Sequence, residues 1–124
     1  MADPSDAEFD VLKLFWKDGP LNAREVHDRI GPQFGWAPST TRTVLERMCG
    51  KGLLERRDLK GLAVFAPSQS KIDVLGRALR KFARNVLEID GPLSAQAFTG
   101  SQLLNPGEIA ELQAMLDCDA EGEL

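Results

Sequence analysis

The 124-residue chain has few of the residues from which catalytic and metal sites are built. It contains one histidine, His27, two cysteines and no tyrosine. Cys49 and Cys118 lie far apart, without a CxxC pair or a Cys/His cluster, which argues against a zinc site and a disulfide framework. No GxSxG, P-loop or GxGxxG pattern is present. We therefore expect no enzymatic activity, no metal and no cofactor, and we interpret His27 as a surface residue of a structural helix.

The sequence also lacks a long hydrophobic segment. No apolar run approaches the roughly 18 residues that a membrane-spanning helix needs. The first ten residues are acidic, whereas a secretory signal would begin with basic and then apolar residues. These absences predict a cytoplasmic protein without membrane association, either one ordinary domain or a compact domain with an appended helical arm.

Basic residues are outnumbered by acidic ones, 15 against 19, but they are concentrated in one part of the chain. The net charge is -4, yet residues 42–84 hold 11 Lys or Arg against 4 Asp or Glu, a net of +7. Residues 85–124 hold no basic residue and 8 acidic ones. Because salt screens electrostatic attraction over about 10 Å, local charge decides whether a polyanion binds. The middle segment is thus a candidate for phosphate binding, although a solvated basic face would have the same composition.

Capping motifs and turn residues predict the first two helices. The pairs Ser5-x-x-Glu8 and Asn22-x-x-Glu25 are capping boxes, in which each side chain satisfies a free backbone N–H of the other residue. Gly19-Pro20 should end the first helix and Gly31-Pro32 the second. The connector GPQFGWAP would then contain Phe34 and Trp36, and we expect these large apolar side chains to pack against a core rather than remain in water.

A third helix is predicted from Ser39, as its N-cap, to Met48, and it has the residues of a DNA-recognition helix. Helical periodicity places Thr41, Val44, Leu45 and Met48 on one face. The opposite face and its flanks carry Ser39, Thr40, Arg42, Thr43 and Arg47. A helix about 10 to 12 Å across fits the major groove, where Arg42 can donate two hydrogen bonds to guanine O6 and N7. An amphipathic helix with a merely hydrated polar face would show the same pattern.

A β-hairpin is predicted directly after this helix. The runs LLERRD and LAVFAP are separated by Leu59-Lys60-Gly61, and Arg56, Arg57 and Lys60 should lie near the tip. These cations, together with Lys51 at the end of the third helix, would contact DNA phosphates. Arg57 and Lys60 could instead serve only to protect an edge strand. The element order favours a mainly α fold with a small β-hairpin wing, a winged helix-turn-helix domain over residues 5–67.

The rest of the chain is predicted to be a helical dimerisation region, residues 68–118, followed by a flexible acidic tail, residues 119–124. A fourth helix, from about Ser70 to Leu87, spaces its apolar residues by three and four, as in a two-helix seam. Asn105 as N-cap and Pro106 as the first helical residue begin a last helix. The dimerisation candidates on these two helices are Ile72, Leu75, Leu79, Phe82, Val86, Ile109, Leu112 and Leu116.

Three stretches of this sequence resemble the penicillinase-repressor family of winged-helix regulators, which includes methicillin-resistance and copper-responsive repressors. LFWKDGPLNAREV is similar to the family's "LW…GP…EV", and WAPSTTRTVLERMCGKGLLER is similar to "W…TT…TxLxRLxxKGxL". VFAP has Phe65 where the family usually has Tyr. The likeness covers about residues 5 to 117.

The resemblance implies a repressor that binds a dyad operator in double-stranded DNA as a homodimer. The helix matching residues 39–49 would enter the major groove, the hairpin matching 53–66 would be the wing, and the C-terminal helices would form the dimer. A membrane sensor or protease in an inducer pathway is implied only by analogy. Copper-responsive relatives end in paired CxC motifs, whereas this tail has only Cys118, which argues against metal sensing.

Two other hypotheses remain open from the sequence. The chain could be a dimeric winged-helix module that binds proteins rather than DNA, with its acidic tail as an autoinhibitor. It could also be a redox-tuned repressor in which Arg47 and Lys51 lower the pKa of the Cys49 thiol.

Overall fold

The computed structural model describes residues 3–122, with side chains described as far as residue 118. The chain divides into two compact units, one before and one after the boundary between Gln69 and Ser70. In the described part of the chain, no helix combines the length and the apolar character needed to cross a membrane.

The first unit has the predicted order of three helices and a hairpin. Its elements are α1 (Asp6–Asp18), α2 (Ala23–Phe34), α3 (Pro38–Gly50), β1 (Leu54–Leu59) and β2 (Leu62–Pro67). Its fully buried apolar side chains include Val11, Leu12, Phe15, Val26, Leu45, Met48 and Leu53. Since these residues come from all three helices and the start of the hairpin, one core fixes the elements relative to one another.

Both predicted capping boxes are confirmed. The Ser5 hydroxyl accepts a hydrogen bond from the Glu8 amide at 3.2 Å, and the Ser5 amide donates to Glu8 Oε1 at 2.8 Å. Asn22 and Glu25 exchange equivalent bonds of 2.8 and 3.0 Å. Local hydrogen bonding therefore determines where α1 and α2 begin.

The predicted end of α2 at Gly31-Pro32 is wrong, because the helix continues to Phe34 with Pro32 inside it. Proline removes only one donor, and this close to the helix end that loss is small. Gly35, at φ 69°, provides the left-handed cap, and the Trp36 amide donates to Gly31 O at 3.0 Å. The rings of Phe34 and Trp36 stack at a centroid distance of 4.6 Å, both half-buried.

The start of α3 also differs from the prediction. The N-cap is Ala37, without a side-chain hydrogen bond, and Pro38 is the first helical residue. Because proline has no N–H to satisfy and its φ suits a helix, it can begin α3 without a hydroxyl cap. Ser39 therefore lies in the first turn, where its side chain does not cap the helix.

The hairpin forms where the sequence predicts it, but Leu59, expected in the turn, is the last residue of β1 and leaves a two-residue turn. Leu59 pairs with Leu62, and the intervening Lys60 and Gly61 both have positive φ, 52° and 82°. These values are those of a type I′ turn, which matches the twist of paired strands. Leu21 and Phe65 exchange backbone hydrogen bonds of 3.1 and 2.8 Å, so the segment before α2 joins β2 and anchors the hairpin.

The second unit contains α4 (Lys71–Asn85), a short 3-10 helix (Ala95–Phe98) and α5 (Pro106–Gly122). The predicted start of α5 is confirmed, with Asn105 Oδ1 accepting from the Glu108 amide at 2.8 Å. The amide of Gln113 holds the connecting segment on α5: its Nε2 donates to Leu93 O at 3.1 Å and its Oε1 accepts from Ala95 N at 2.7 Å. The side chains of the predicted tail, residues 119–124, lie outside the described residues.

The structure divides the predicted dimerisation residues into three groups. Four of them are buried in the core of their own unit, where they pack with Ala95: Ile72, Ile109, Leu112 and Leu116. Leu75 and Leu79 are half-buried, whereas Phe82 and Val86 are 52% and 61% exposed. Packing within the unit therefore already covers half of the predicted residues, and their role in a dimer stays a prediction. Val86 is also the C-cap of α4 rather than a residue within it.

Candidate nucleic-acid interface

The structure gives α3 the two faces that its periodicity predicts. Thr41, Leu45 and Met48 are buried and Val44 is half-buried. The five predicted contact residues of this helix are all exposed: Ser39, Thr40, Arg42, Thr43 and Arg47. Thr43 Oγ1 donates to Ser39 O at 3.0 Å. Its hydroxyl proton is thus used within the helix, and the methyl group and the oxygen lone pairs are left for a ligand.

His27 joins α2 to this helix and is not the plain surface residue that the sequence predicted. It is half-buried, and its Nδ1 lies 2.7 Å from the hydroxyl oxygen of Thr41, which is 1% exposed. Gly31 makes room for the ring, because a Cβ at this position would lie 2.3 Å from His27 Nδ1. The hydrogen bond gives the buried hydroxyl a partner and fixes α3 on α2.

Lys51 does not belong with the exposed cations. It is the C-cap of α3, and its Nζ lies 2.6 Å from Oε1 of Glu8, a residue that is 4% exposed. Burial raises the pKa of Glu8, but hydrogen bonds from Lys51 and the Ser5 amide, with the lysine's charge, bring that pKa below its ordinary value of 4.5. The pair connects the start of α1 to the end of α3, so we assign Lys51 a structural role rather than the predicted phosphate contact.

The cations of the hairpin differ in how far they are neutralised. Arg56 and Arg57 are exposed and pair with Phe65 and Val64, so as neighbours in β1 they project from opposite faces. Arg57 forms an ion pair with Glu55, two residues away on its own face. Among the described residues, no salt bridge or hydrogen bond involves the side chain of Arg56 or Lys60. These two cations remain available to an anion.

Sequence reasoning missed Arg24, an exposed residue of α2. It lines a groove of about 580 Å³ together with Arg42 of α3 and Arg56 of β1. A single arginine on a predicted helix gives no signal in the sequence. Its place beside the other two depends on how α2, α3 and the hairpin pack, so only the structure brings the three together.

The structure contradicts the basis of the Cys49 redox hypothesis. Burial raises the pKa of the Cys49 thiol above its ordinary value of 9.0, the nearby charge of Arg56 lowers it, and Glu46 raises it again, with a net increase. Lys51, which was expected to lower this pKa, is paired with Glu8. A raised pKa leaves little reactive thiolate at neutral pH. Among the residues that the structure describes, no three His, Cys, Asp or Glu side chains form a cluster that could hold a metal.

Three helices, a hairpin anchored beside them and an exposed polar face on the third helix make the first unit a winged helix-turn-helix domain. The chain belongs to the penicillinase repressor family, whose model matches residues 4–118. It is 29% identical over 115 residues to the penicillinase repressor of Bacillus licheniformis, covering 91% of this chain and 88% of the relative. It is 24% identical over 113 residues to the methicillin resistance regulatory protein MecI of Staphylococcus aureus strain N315, covering 91% and 92%.

A solved structure resembles part of the chain. It is the solution structure of the Bacillus licheniformis BlaI monomeric form in complex with the blaP half-operator. The match has a TM-score of 0.53 and 32% sequence identity, and it covers 58% of this chain and 88% of that chain.

Proposed function

We propose that this protein is a transcriptional repressor that binds a dyad-symmetric operator in double-stranded DNA as a homodimer. One observation carries the proposal: the exposed face of α3 carries Arg42 beside small hydroxyl residues, on a domain similar to one solved with a half-operator. A protein with this role acts in the cytoplasm and needs no catalytic residue.

The positions of the exposed side chains suggest which of them contact bases and which contact phosphates. Arg42 is exposed on α3, where a guanidinium can donate two hydrogen bonds to a guanine in the major groove. Ser39 and Thr40 would contact bases or phosphates on either side of it, and Thr43 would contact a base through its methyl group or its hydroxyl oxygen. Arg47 at the flank of α3, with Arg56 and Lys60 on the hairpin, would contact the phosphate backbone and so provide affinity without sequence preference.

Dimerisation would use the apolar surface that the second unit leaves uncovered. Phe82 and Val86 are more than half exposed at the end of α4, and Leu87 is 57% exposed. Burial of such side chains against a second copy is favourable by about 25 cal/mol per Å² of apolar surface. Two domains on adjacent major grooves would place the half-sites about 34 to 36 Å apart, roughly 10 base pairs.

The test compares two arginine variants on two kinds of DNA. Arg42→Ala should lower affinity for the operator by roughly 10-fold or more and leave affinity for random-sequence duplex nearly unchanged, because a base contact is lost. Arg56→Ala should weaken both by the same factor, because a phosphate contact is lost. Fluorescence anisotropy measures these affinities. If both variants lose the same affinity on both duplexes, the assignment of Arg42 to a base and Arg56 to a phosphate is wrong.

A further inference from the structure

We propose that the groove between α2, α3 and the hairpin, called here the arginine groove, is a binding site for a DNA backbone phosphate, with Arg24 as its anchor. The inference deepens the proposed function and depends on it, because it names a contact residue outside the recognition helix and the wing. The groove is lined by Arg24 and Asn22 at the start of α2, Arg42 and Glu46 of α3, Arg56 of β1 and Phe65 of β2, with other residues of β2.

The arginine groove has a net positive charge that a bound anion would neutralise. Three guanidinium groups from three separate elements line it, and Glu46 is the only carboxylate that does so. Among the described residues, no salt bridge or side-chain hydrogen bond satisfies Arg24, Arg42 or Arg56. Like charges brought together without a partner repel one another, and a phosphate bound by Arg24 and Arg56, beside the base-contacting Arg42, would reduce that repulsion.

Some other cations of the same unit are neutralised within the fold. Arg29, five residues after Arg24 on α2, lies 3.3 Å from Asp18 and 3.8 Å from Glu25. Lys51 is paired with Glu8. Carboxylates neutralise Arg29 and Lys51 but not Arg24. An ion pair within the fold therefore does not explain why an arginine lies at position 24.

A second groove extends the site along the junction of the two helices. It has a volume of about 330 Å³, and it shares Arg24 and Arg42 with the arginine groove, with His27, Asp28 and Pro38 also among its lining residues. Arg24 and Arg42 therefore border both grooves next to α3.

The position of Arg24 on α2 indicates a contact with the sugar-phosphate backbone of DNA rather than with the bases. In helix-turn-helix docking the second helix of the motif enters the major groove and the first crosses the sugar-phosphate backbone. In this chain α3 is the second helix and α2 the first, so Arg24 meets the strand at the edge of the groove that α3 enters. A guanidinium matches two phosphate oxygens, which would set the angle at which α3 approaches the bases.

The test measures the salt dependence of binding to a random-sequence duplex of 30 base pairs by the full-length protein. Each phosphate contact contributes about 0.9 to the slope of log affinity against log salt concentration. Arg24→Gln should lower the slope by about 0.9 and weaken binding roughly tenfold at low salt, equally on operator and random duplexes. Arg29→Gln is the matched control: it removes the same charge from the same helix and should change the slope by much less.

Arg24→Lys separates a charge contact from an effect on folding. It keeps the charge and should restore the slope, while its single ammonium recovers only part of the affinity. Thermal unfolding of Arg24→Gln should match that of the parent, because Arg24 is exposed and unpaired among the described residues. If the parent binds DNA with a steep slope and Arg24→Gln has the same slope, this inference fails while the proposed function stands. If the parent shows no salt-dependent binding, both fail.

Discussion

The Nζ atom of Lys51 and the Oε1 atom of Glu8 lie 2.6 Å apart, although the two residues are 43 positions apart in the chain. Oε1 of Glu8 also accepts the hydrogen bond of the Ser5 amide that caps α1. One carboxylate oxygen therefore holds both the first turn of α1 and the C-cap residue of α3. The end of the proposed recognition helix depends on this ion pair for its position.

The charge of Glu8 should stabilise the fold. Glu8→Gln keeps an oxygen for the Ser5 amide but loses the ion pair, and should lower the free energy of unfolding by about 1 to 2 kcal/mol at pH 7. The figure is below that for a fully buried pair because the Lys51 side chain is 28% exposed. Urea unfolding measures the difference. Lys13→Gln, which breaks the exposed pair with Asp10, is the control and should cost less than about 0.5 kcal/mol.

The same pair predicts a pH dependence. The pKa of Glu8 in the folded protein lies below 4.5, its ordinary value, so the unfolded chain takes up a proton first as the pH falls. The stabilisation is therefore complete above about pH 4.5 and is lost as the pH falls through the folded-state pKa. The difference between parent and Glu8→Gln should shrink over that range. A difference that stays constant down to pH 3 would contradict the ion pair.

Lys51 and Lys60 should differ in their contribution to DNA binding, although both were predicted from the sequence as phosphate contacts. Lys60→Gln at the hairpin turn should lower the slope of log affinity against log salt by about 0.9. Lys51→Gln should leave the slope nearly unchanged, because this ammonium is already neutralised by Glu8. Equal decreases for the two variants, measured on the same duplex, would show that Lys51 leaves Glu8 to bind DNA.

Gly31 and His27 should behave as a coupled pair. In the parent, Gly31→Ala would place a Cβ 2.3 Å from His27 Nδ1, so the ring must move away from Thr41. Loss of a buried hydrogen bond costs about 1 to 3 kcal/mol, more than the roughly 1 kcal/mol that alanine adds to helix stability. In a His27→Ala background the clash disappears, and Gly31→Ala should become stabilising.

A double-mutant cycle of urea unfolding midpoints tests this change of sign. Gly50→Ala is the control, because a Cβ at this residue of α3 meets no atom within 4 Å. It should have the same effect in both backgrounds. If Gly31→Ala is equally destabilising with and without His27, the contact between the two residues is not what requires glycine.

Phe82 should contribute to dimer formation. Phe82→Ser removes a large apolar side chain from the uncovered end of α4 and should weaken the dimer by at least about tenfold, since burial of a phenylalanine is worth roughly 1.5 to 3 kcal/mol. Analytical ultracentrifugation measures the dimer dissociation constant. Leu62→Ser, at a 61% exposed residue of the hairpin, is the control and should leave it unchanged. An unaltered constant for Phe82→Ser would place the interface elsewhere.

The elements that the sequence predicts correctly depend on nearby residues. The capping boxes of α1 and α2 join residues three positions apart, and the hairpin turn needs only Lys60 and Gly61 to adopt positive φ. The inward face of α3 follows from the helical period alone. The predicted end of α2 was wrong. The left-handed cap at Gly35 stabilises the longer helix by more than the single hydrogen bond lost at Pro32 destabilises it.

The candidate site shows where sequence reasoning stops. The exposed residues of α3 could be predicted, but the pairing of Lys51 with Glu8 and of His27 with Thr41 could not, since each joins distant parts of the chain. Arg24 was missed for the same reason. Periodicity shows which face of a helix is polar, whereas only tertiary packing shows which polar residues are satisfied internally and which are left for a ligand.

Selection from a library of random double-stranded DNA, followed by affinity measurement on the enriched sequence, shows whether this protein recognises a palindromic operator. We expect enrichment of a palindrome with half-sites about 10 base pairs apart, bound at least about 10³-fold more tightly than a scrambled duplex at physiological salt. Enrichment of no sequence, or equal affinity for enriched and scrambled duplexes, would contradict the claim that this protein reads DNA as a dimeric repressor.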